Sequence, residues 1–323
     1  MLPKKKEHPK EKAKLHARNK HRERYDFKLL IDTCPALAPY VKLNIYNDES
    51  IDFFDPEAVK MLNKALLKHH YGVDNWDIPK GYLCPPIPSR ADYVYHIADV
   101  LASKNGGKIP VGKAVKCLDI GVGANGIYPI IGHKEYGWTF IGADIDSVSL
   151  ESVGKIITAN PSLKEAIELR LQTDNRDTIN GILKHGERID ATFCNPPFHA
   201  SRAEAQAGTQ RKLNNLTKRT NAKLALNFGG QNNELWCEGG EVEFIKNMMI
   251  QSRQYADACF WYSTLVSKQT TLKPILDTLK RLKALEIKVI DMQQGHKMSR
   301  IVAWTFLTDK DFQTYRRLQS PEI

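Results

Sequence analysis

From residue 114 onward, short apolar runs alternate with amphipathic segments, and this alternation restricts the fold more than any other feature. "AVKCLDI", "WTFIGADI", "AIELRLQ", "IDATFCN" and "ACFWYSTLV" read as buried strands, rich in β-branched and aromatic residues. "SVSLESVGKIITAN" reads as a helix closed by Asn160 and Pro161, with Asp146 as its N-cap. "EVEFIKNMMIQSRQYA" and "TLKPILDTLKRL" read as two further helices, and a short one is expected near "TINGILKHG". Strands alternating with helices build a sheet covered on both faces. The last two strands, "ALEIKVIDM" and "RIVAWTFL", are joined only by "QQGHKMS". That joint is too short for a crossover helix, so they pair as an antiparallel hairpin. The expected fold is α/β, a Rossmann-like seven-stranded sheet with its last hairpin antiparallel.

Three regions are expected: a basic arm at 1–24, a helical subdomain at 25–110 packing on the core, and the sheet domain at 111–323. In the second, Asp55 and Pro56 suit the N-cap and first turn of a helix that Gly72 ends. Ser89 and Asp92 fit a capping box for a second helix, after the rigid connector "LCPPIPSR".

Charge is unevenly spread. Residues 1–28 hold eleven Lys/Arg against four acids, +7 of the formal +10. With few large apolar residues, the arm is expected to be disordered, or helical only on a partner. Lys12, Lys14, His16, Arg18, Asn19 and Arg22 are its candidate RNA contacts; a solubilising tail is the plainer alternative. A basic insertion at about 200–239 follows the fourth strand, and Arg211, Lys212, Lys218 and Arg219 within it are further RNA candidates. Within it, the stretch from about Gly208 to Gly230 is expected to be mobile without RNA and to close over the acceptor strand; an unrelated surface insertion is the plainer alternative. Six scattered cysteines, the closest two 22 residues apart, give no zinc spacing and suggest a reducing compartment. No apolar run approaches the length of a membrane span. A cytoplasmic, monomeric protein without a metal is expected.

"CLDIGVGANGIYPI" sets Gly121, Gly123 and Gly126 between a strand and a helix, where glycine lets the backbone approach a ligand. Asp144, 18 residues after Gly126, ends the second strand, where a carboxylate accepts ribose hydroxyls. These features suit NAD or S-adenosylmethionine (SAM). Asp119, two residues before Gly121, completes D-x-G-x-G, which resembles motif I of class I methyltransferases, where the acid lies near the SAM amino group. A turn cap is the plainer reading of Asp119.

The fourth strand ends in "CNPPFH". Proline cannot continue a sheet ladder, so Pro196 and Pro197 fix a rigid corner. The Asn195 side-chain carbonyl and the Pro196 backbone carbonyl together accept two hydrogens of one planar amine. Such a clamp favours a pyramidal nitrogen with its lone pair aimed at a methyl donor, with Phe198 placed to stack on an extruded base; a rigid strand exit with Phe198 in the core is the plainer alternative. The motif resembles those of methyltransferases acting on adenine N6, cytosine N4 or glutamine amide nitrogen. It specifies the amine better than the molecule.

Across nearly the whole chain the sequence resembles the ribosomal RNA large-subunit methyltransferase F family, and related eukaryotic enzymes that methylate a small nuclear RNA. The blocks that carry this include "LHARNKHRERYDF", "FFDPEAVKMLNKALLKHHYG", "IPSRADYVYHIADVL", "CNPPFH", "EGGEVEFIKNMMIQS" and "QQGHKMSRIVAWTF". The resemblance implies SAM as donor and one adenine of 23S rRNA, adenine 1618, as target, in naked rRNA or in a large-subunit assembly intermediate. It further implies that Arg90 contacts the SAM carboxylate, that Gly121 lies in the SAM loop, that Asp144 takes the ribose and that Asn195 closes the active site. A salt bridge to Asp92 is the alternative for Arg90. One of Asp174, Asn175 and Arg176 is expected beside the SAM adenine. "EGGE", 238–241, either shapes the acceptor pocket or starts a helix. Competing functions are methylation of DNA adenine or of protein glutamine, a catalytically idle RNA-binding assembly factor and, if NPPF is ignored, an oxidoreductase.

Overall fold

A computed structural model describes residues 11–201, 203–204, 232–294 and 297–319. Seven strands form one sheet: β3 (Lys116–Ile120), β4 (Thr139–Asp144), β5 (Ile167–Leu171), β6 (Ile189–Cys194), β7 (Cys259–Val266), β8 (Glu286–Gln294) and β9 (Lys297–Thr305). Their order is β5-β4-β3-β6-β7-β9-β8. The first five are parallel, and β9 runs antiparallel to both β7 and β8. The expected hairpin is therefore present. A small hairpin, β1 (Val41–Leu43) and β2 (Glu49–Ile51), lies apart from the sheet.

Alternate residues of a strand face opposite sides, and two apolar clusters use this. Cys117 and Phe193 join one, together with α2 (Pro56–Tyr71), α3 (Ile87–Ser103) and α4 (Ile127–Tyr136). Leu118 and Cys194 join the other, which holds α8 (Gly240–Gln254) and α9 (Gln269–Arg281). Gly132 of α4 marks the tightest contact on the first face. A Cβ there would lie 2.7 Å from Phe140 Cε2 and closer still to Cζ. Phe140 is buried on a central strand and has nowhere to turn. Gly132→Ala should therefore destabilise by about 1–3 kcal/mol, the scale of core overpacking, read as a lower denaturation midpoint.

Local chemistry sets several ends as the sequence suggests. Asp55 caps α2 through Glu57 N, and Gly72 closes it at φ 60°. Asp146 caps α5 (Ser147–Ala159), accepting from Val148 N. Other expectations fail. The expected helix near "TINGILKHG" is replaced by turns, because Gly181 and Gly186 take φ of 76° and 74° and the buried Gln251 Oε1 captures Thr178 N and Ile179 N. Ser89 is no N-cap: α3 starts earlier, at Ile87, with Pro88 in its first turn, and Ser89 Oγ donates back to Pro86 O.

The largest correction concerns the arm, of which residues 1–10 lie outside the described residues. Residues 11–24 are neither free nor helical; they run as turns bridged between Glu11 and Glu23 and dock on α3. Leu15, Asn19 and His21 are all buried. Burial, reinforced by His70, Lys12 and Lys20, lowers the His21 imidazole to about 3, so it is held neutral. The helix α1 (Phe27–Thr33) follows, and Asp26 caps it through Leu29 N.

Candidate active site

Strand order reverses between β3 and β6, which lie side by side with Ile120 opposite Cys194. Open α/β sheets bind ligands in the crevice at such a reversal, outside the strand ends. The glycine loop enters this crevice from β3 and the NPPF corner from β6. Gly121 and Gly123 take φ of 77° and 62°. Gly121 N and Val122 N both donate to Ala143 O at 2.9 Å, pinning the loop to β4. Trp76 Nε1 donates to Asn125 O (2.9 Å), bracing the loop from the N-terminal half.

Asp144 is oriented from two sides. Its Oδ2 accepts Gly123 N (2.8 Å) and its Oδ1 accepts Asp146 N (2.9 Å). Burial raises its carboxyl, with these hydrogen bonds opposing. Tyr82 donates to Asp146 Oδ2 (2.7 Å) beside it. Asp119 differs: it is 1% exposed, and neither oxygen meets a hydrogen-bond partner. Burial, with Asp144 nearby, holds it well above the usual carboxylate range, and Arg90 opposes this. A buried carboxylate without a donor is costly. In a crevice, such a perturbed carboxyl marks a candidate functional site.

Arg90 reaches this region from α3. Its Nη1 donates to Tyr128 OH (2.9 Å) and to Asn195 Oδ1 (3.1 Å). Asp92 is engaged elsewhere, accepting His16 N (2.6 Å) and Asn19 Nδ2 (2.9 Å). Asn195 and Phe198 are half-buried, and Pro196 and Pro197 are buried. Asn195 and Phe198 share a cavity of about 60 Å³ with Leu15, Leu265, Ser267 and Met292.

Behind the corner, His199 bridges to Trp236, so the two ends of the insertion meet beside Phe198. Arg211, Lys212, Lys218 and Arg219 lie outside the described residues. "EGGE" does start a helix, α8, but it also does more. A Cβ on Gly240, at φ 66°, would lie 3.1 Å from Ala200 N and Cα, so only glycine lets the corner pass this close. Glu241, 2% exposed, accepts Ser267 N (2.6 Å) and Thr271 Oγ1 (2.8 Å). That fixes Ser267 at the cavity wall.

The candidate RNA residues are mostly engaged within the chain. Lys12 Nζ donates to His21 O, Arg18 pairs with Asp99 (2.7 Å), and Arg22 pairs with Glu11 (3.2 Å). His16 Nε2 lies 2.8 Å from Asp99, and Asn19 is 3% exposed. Lys14 is exposed. In the loop after β5, Asp174 and Arg176 pair with each other, and Asn175 is exposed; no residue there is singled out. Sequence reasoning overlooked Tyr128, Trp76, Tyr82 and Leu15. Tyr128 stood in the quoted "ANGIYPI", but its role depends on Arg90 arriving from another helix. Among the described residues no group of three His, Cys, Asp or Glu is placed to hold a metal, and no helix is long and apolar enough to cross a membrane.

The parallel sheet with its terminal antiparallel hairpin, the glycine loop and the NPPF corner define a class I methyltransferase fold. The chain belongs to the RNA methyltransferase family, whose pattern matches residues 9–308, and within it to the ribosomal RNA large subunit methyltransferase F group. It is 58% identical over 302 residues to the ribosomal RNA large subunit methyltransferase F of Cytophaga hutchinsonii, covering 94% of each chain. It is 55% identical over 306 residues to the protein of that name from Serratia proteamaculans, covering 94% of this chain and 91% of the other. Among solved structures it resembles the hMettl16 catalytic domain in complex with MAT2A 3′UTR hairpin 1, with a TM-score of 0.78 and 29% identity over 92% of this chain and 96% of that one. It also resembles the N-terminal domain of human METTL16 in complex with SAH, with a TM-score of 0.72 and 26% identity over 91% and 99%.

Proposed function

We propose that the chain transfers the methyl group of SAM to the exocyclic N6 of one adenine in 23S rRNA, the adenine 1618 implied by the family resemblance. The observation that carries this is the meeting of Asn195 with the unpartnered Asp119 and the oriented Asp144, across one sheet reversal. SAM supplies an electrophilic methyl on a positively charged sulfur. The residues present fit it: Asp119 offers a buried acceptor for its amino group, Asp144 keeps acceptor capacity for the ribose, and Arg90 offers a cation for its carboxylate. Asn195 Oδ1 and Pro196 O hold the two N6 hydrogens. The clamp orients the lone pair and stabilises the positive charge that develops on N6 as the N–C bond forms and the C–S bond breaks. N6 then releases one proton to water. Phe198 stacks on the extruded base.

The test is nucleoside mass spectrometry of 23S rRNA, and of large-subunit precursors, from cells lacking the gene, before and after treatment with purified protein and SAM. One N6-methyladenosine should appear, at one mapped position. Methyl incorporation into protein or DNA instead, or none anywhere, would overturn the assignment.

A further inference from the structure

The docked segment 11–24 does something its charge does not describe. Leu15 is 4% exposed and lines the same cavity as Asn195 and Phe198. Its backbone is held from both sides: Leu15 N donates to Lys12 O (3.0 Å), and Leu15 O accepts Arg22 Nη1 (3.0 Å). The next residues are clasped to α3. Asp92 Oδ1 accepts both His16 N (2.6 Å) and Asn19 Nδ2 (2.9 Å), and Asn19 Nδ2 also reaches Pro88 O (2.9 Å). Two helical turns on, Asp99 takes His16 Nε2 (2.8 Å) and Arg18 Nη2 (2.7 Å). Burial alone would raise the Asp92 carboxyl, yet His96, 3.6 Å away, and the bonds from Asn19 and His16 bring it below its ordinary value. It is thus a charged, buried anchor. Arg18, Lys20 and Arg22 are paired with Asp99, Glu135 and Glu11, so much of the charge is spent within the protein.

We propose that Leu15 is a base-seating residue: it forms an apolar wall of the pocket that receives the acceptor base, and the Asp92–Asp99 clasp positions it there. This rests on the reading above, in which the acceptor is an extruded adenine. A flipped base is held between aromatic and apolar side chains. Phe198 supplies the aromatic one, while Leu15, Leu265 and Met292 supply apolar surface in the same cavity. Leu15 is carried on turns, without a strand or helix behind it.

The experiment compares two synthetic 23S rRNA fragments, one with the mapped acceptor adenine and one abasic there, on wild type, Leu15→Ala and Leu15→Met. Wild type should bind the adenine fragment more tightly. Leu15→Ala should narrow that preference by about tenfold, the scale of a lost apolar contact, and Leu15→Met should restore it. Abasic binding, SAH affinity and the salt slope should not change. Equal weakening on both fragments, or a shallower salt slope, would show a phosphate-binding arm and overturn the proposal. So would no change at all. If Leu15→Ala melts early, Leu15→Val gives the same comparison with less lost volume. Wild-type methylation of 23S rRNA is measured first, and its absence would overturn the underlying reading and this proposal with it.

Discussion

Asn195→Ala should lower turnover on rRNA by roughly 10²–10³-fold, the scale for removing one preorganised group that stabilises developing charge, while SAM affinity stays within a few-fold. Asn195 stands at the carboxyl end of β6, after Cys194, which is fixed beside Ile120. Its Oδ1 is aligned by Arg90, and its backbone by two buried prolines. Losing the side chain leaves Pro196 O as one acceptor where two were needed, so the amine is held but no longer aimed. The cofactor contacts proposed for Asp119, Asp144 and the glycine loop remain. The loss should therefore fall on kcat with little change in the dissociation constant for SAM, as expected for an interaction made chiefly in the transition state. Calorimetry with SAM and single-turnover methylation decide it. Turnover within tenfold of wild type would remove Asn195 as the clamp.

The central strands were legible because each is a short apolar run buried on both faces, and the edge strands β5 and β8, partly exposed, because they keep apolar residues at alternate positions. The hairpin followed from the shortness of its joint. The places of Gly121, Asp144 and Asn195 in the candidate site were legible because each lies at or just past a strand end, where local sequence implies position. Long-range contacts were not legible. Asp92 looked like a capping-box acid, since nothing in "SRADYV" reveals that His16 and Asn19 approach from 76 and 73 residues away. Composition also misled at the arm. Counting charges over 1–24 overlooked that Leu15, Asn19 and His21 bury without forming a periodic apolar face. Turns that dock through hydrogen bonds leave no hydrophobic period to read. The "TINGILKHG" helix failed for the converse reason: its local pattern is helical, but Gln251 of α8 offers its backbone a better set of bonds.

Asp119→Asn should stabilise the fold at neutral pH and weaken SAM binding by about 10–100-fold, the range for a hydrogen bond to a charged group. Asp119 is buried with no donor to either oxygen, and burial and Asp144 raise its carboxyl well above the ordinary value. In the unfolded chain it titrates near ~3.9. Between that value and the raised one, the folded chain holds a proton that the unfolded chain has lost. Stability contributed by this group therefore falls as pH rises through the window. Asparagine, nearly isosteric and never charged, removes that penalty, so the variant's melting temperature should exceed that of wild type at neutral pH. The gap should shrink as pH falls toward 4. The same logic gives the binding signature. A cationic amino group beside Asp119 favours its ionised form, so wild type should release protons on binding SAM, and Asp119→Asn should release fewer. Calorimetry in buffers of different ionisation enthalpy measures this directly. A variant that melts below wild type, or binds SAM equally well, would show that Asp119 is structural and that the amino group is held elsewhere.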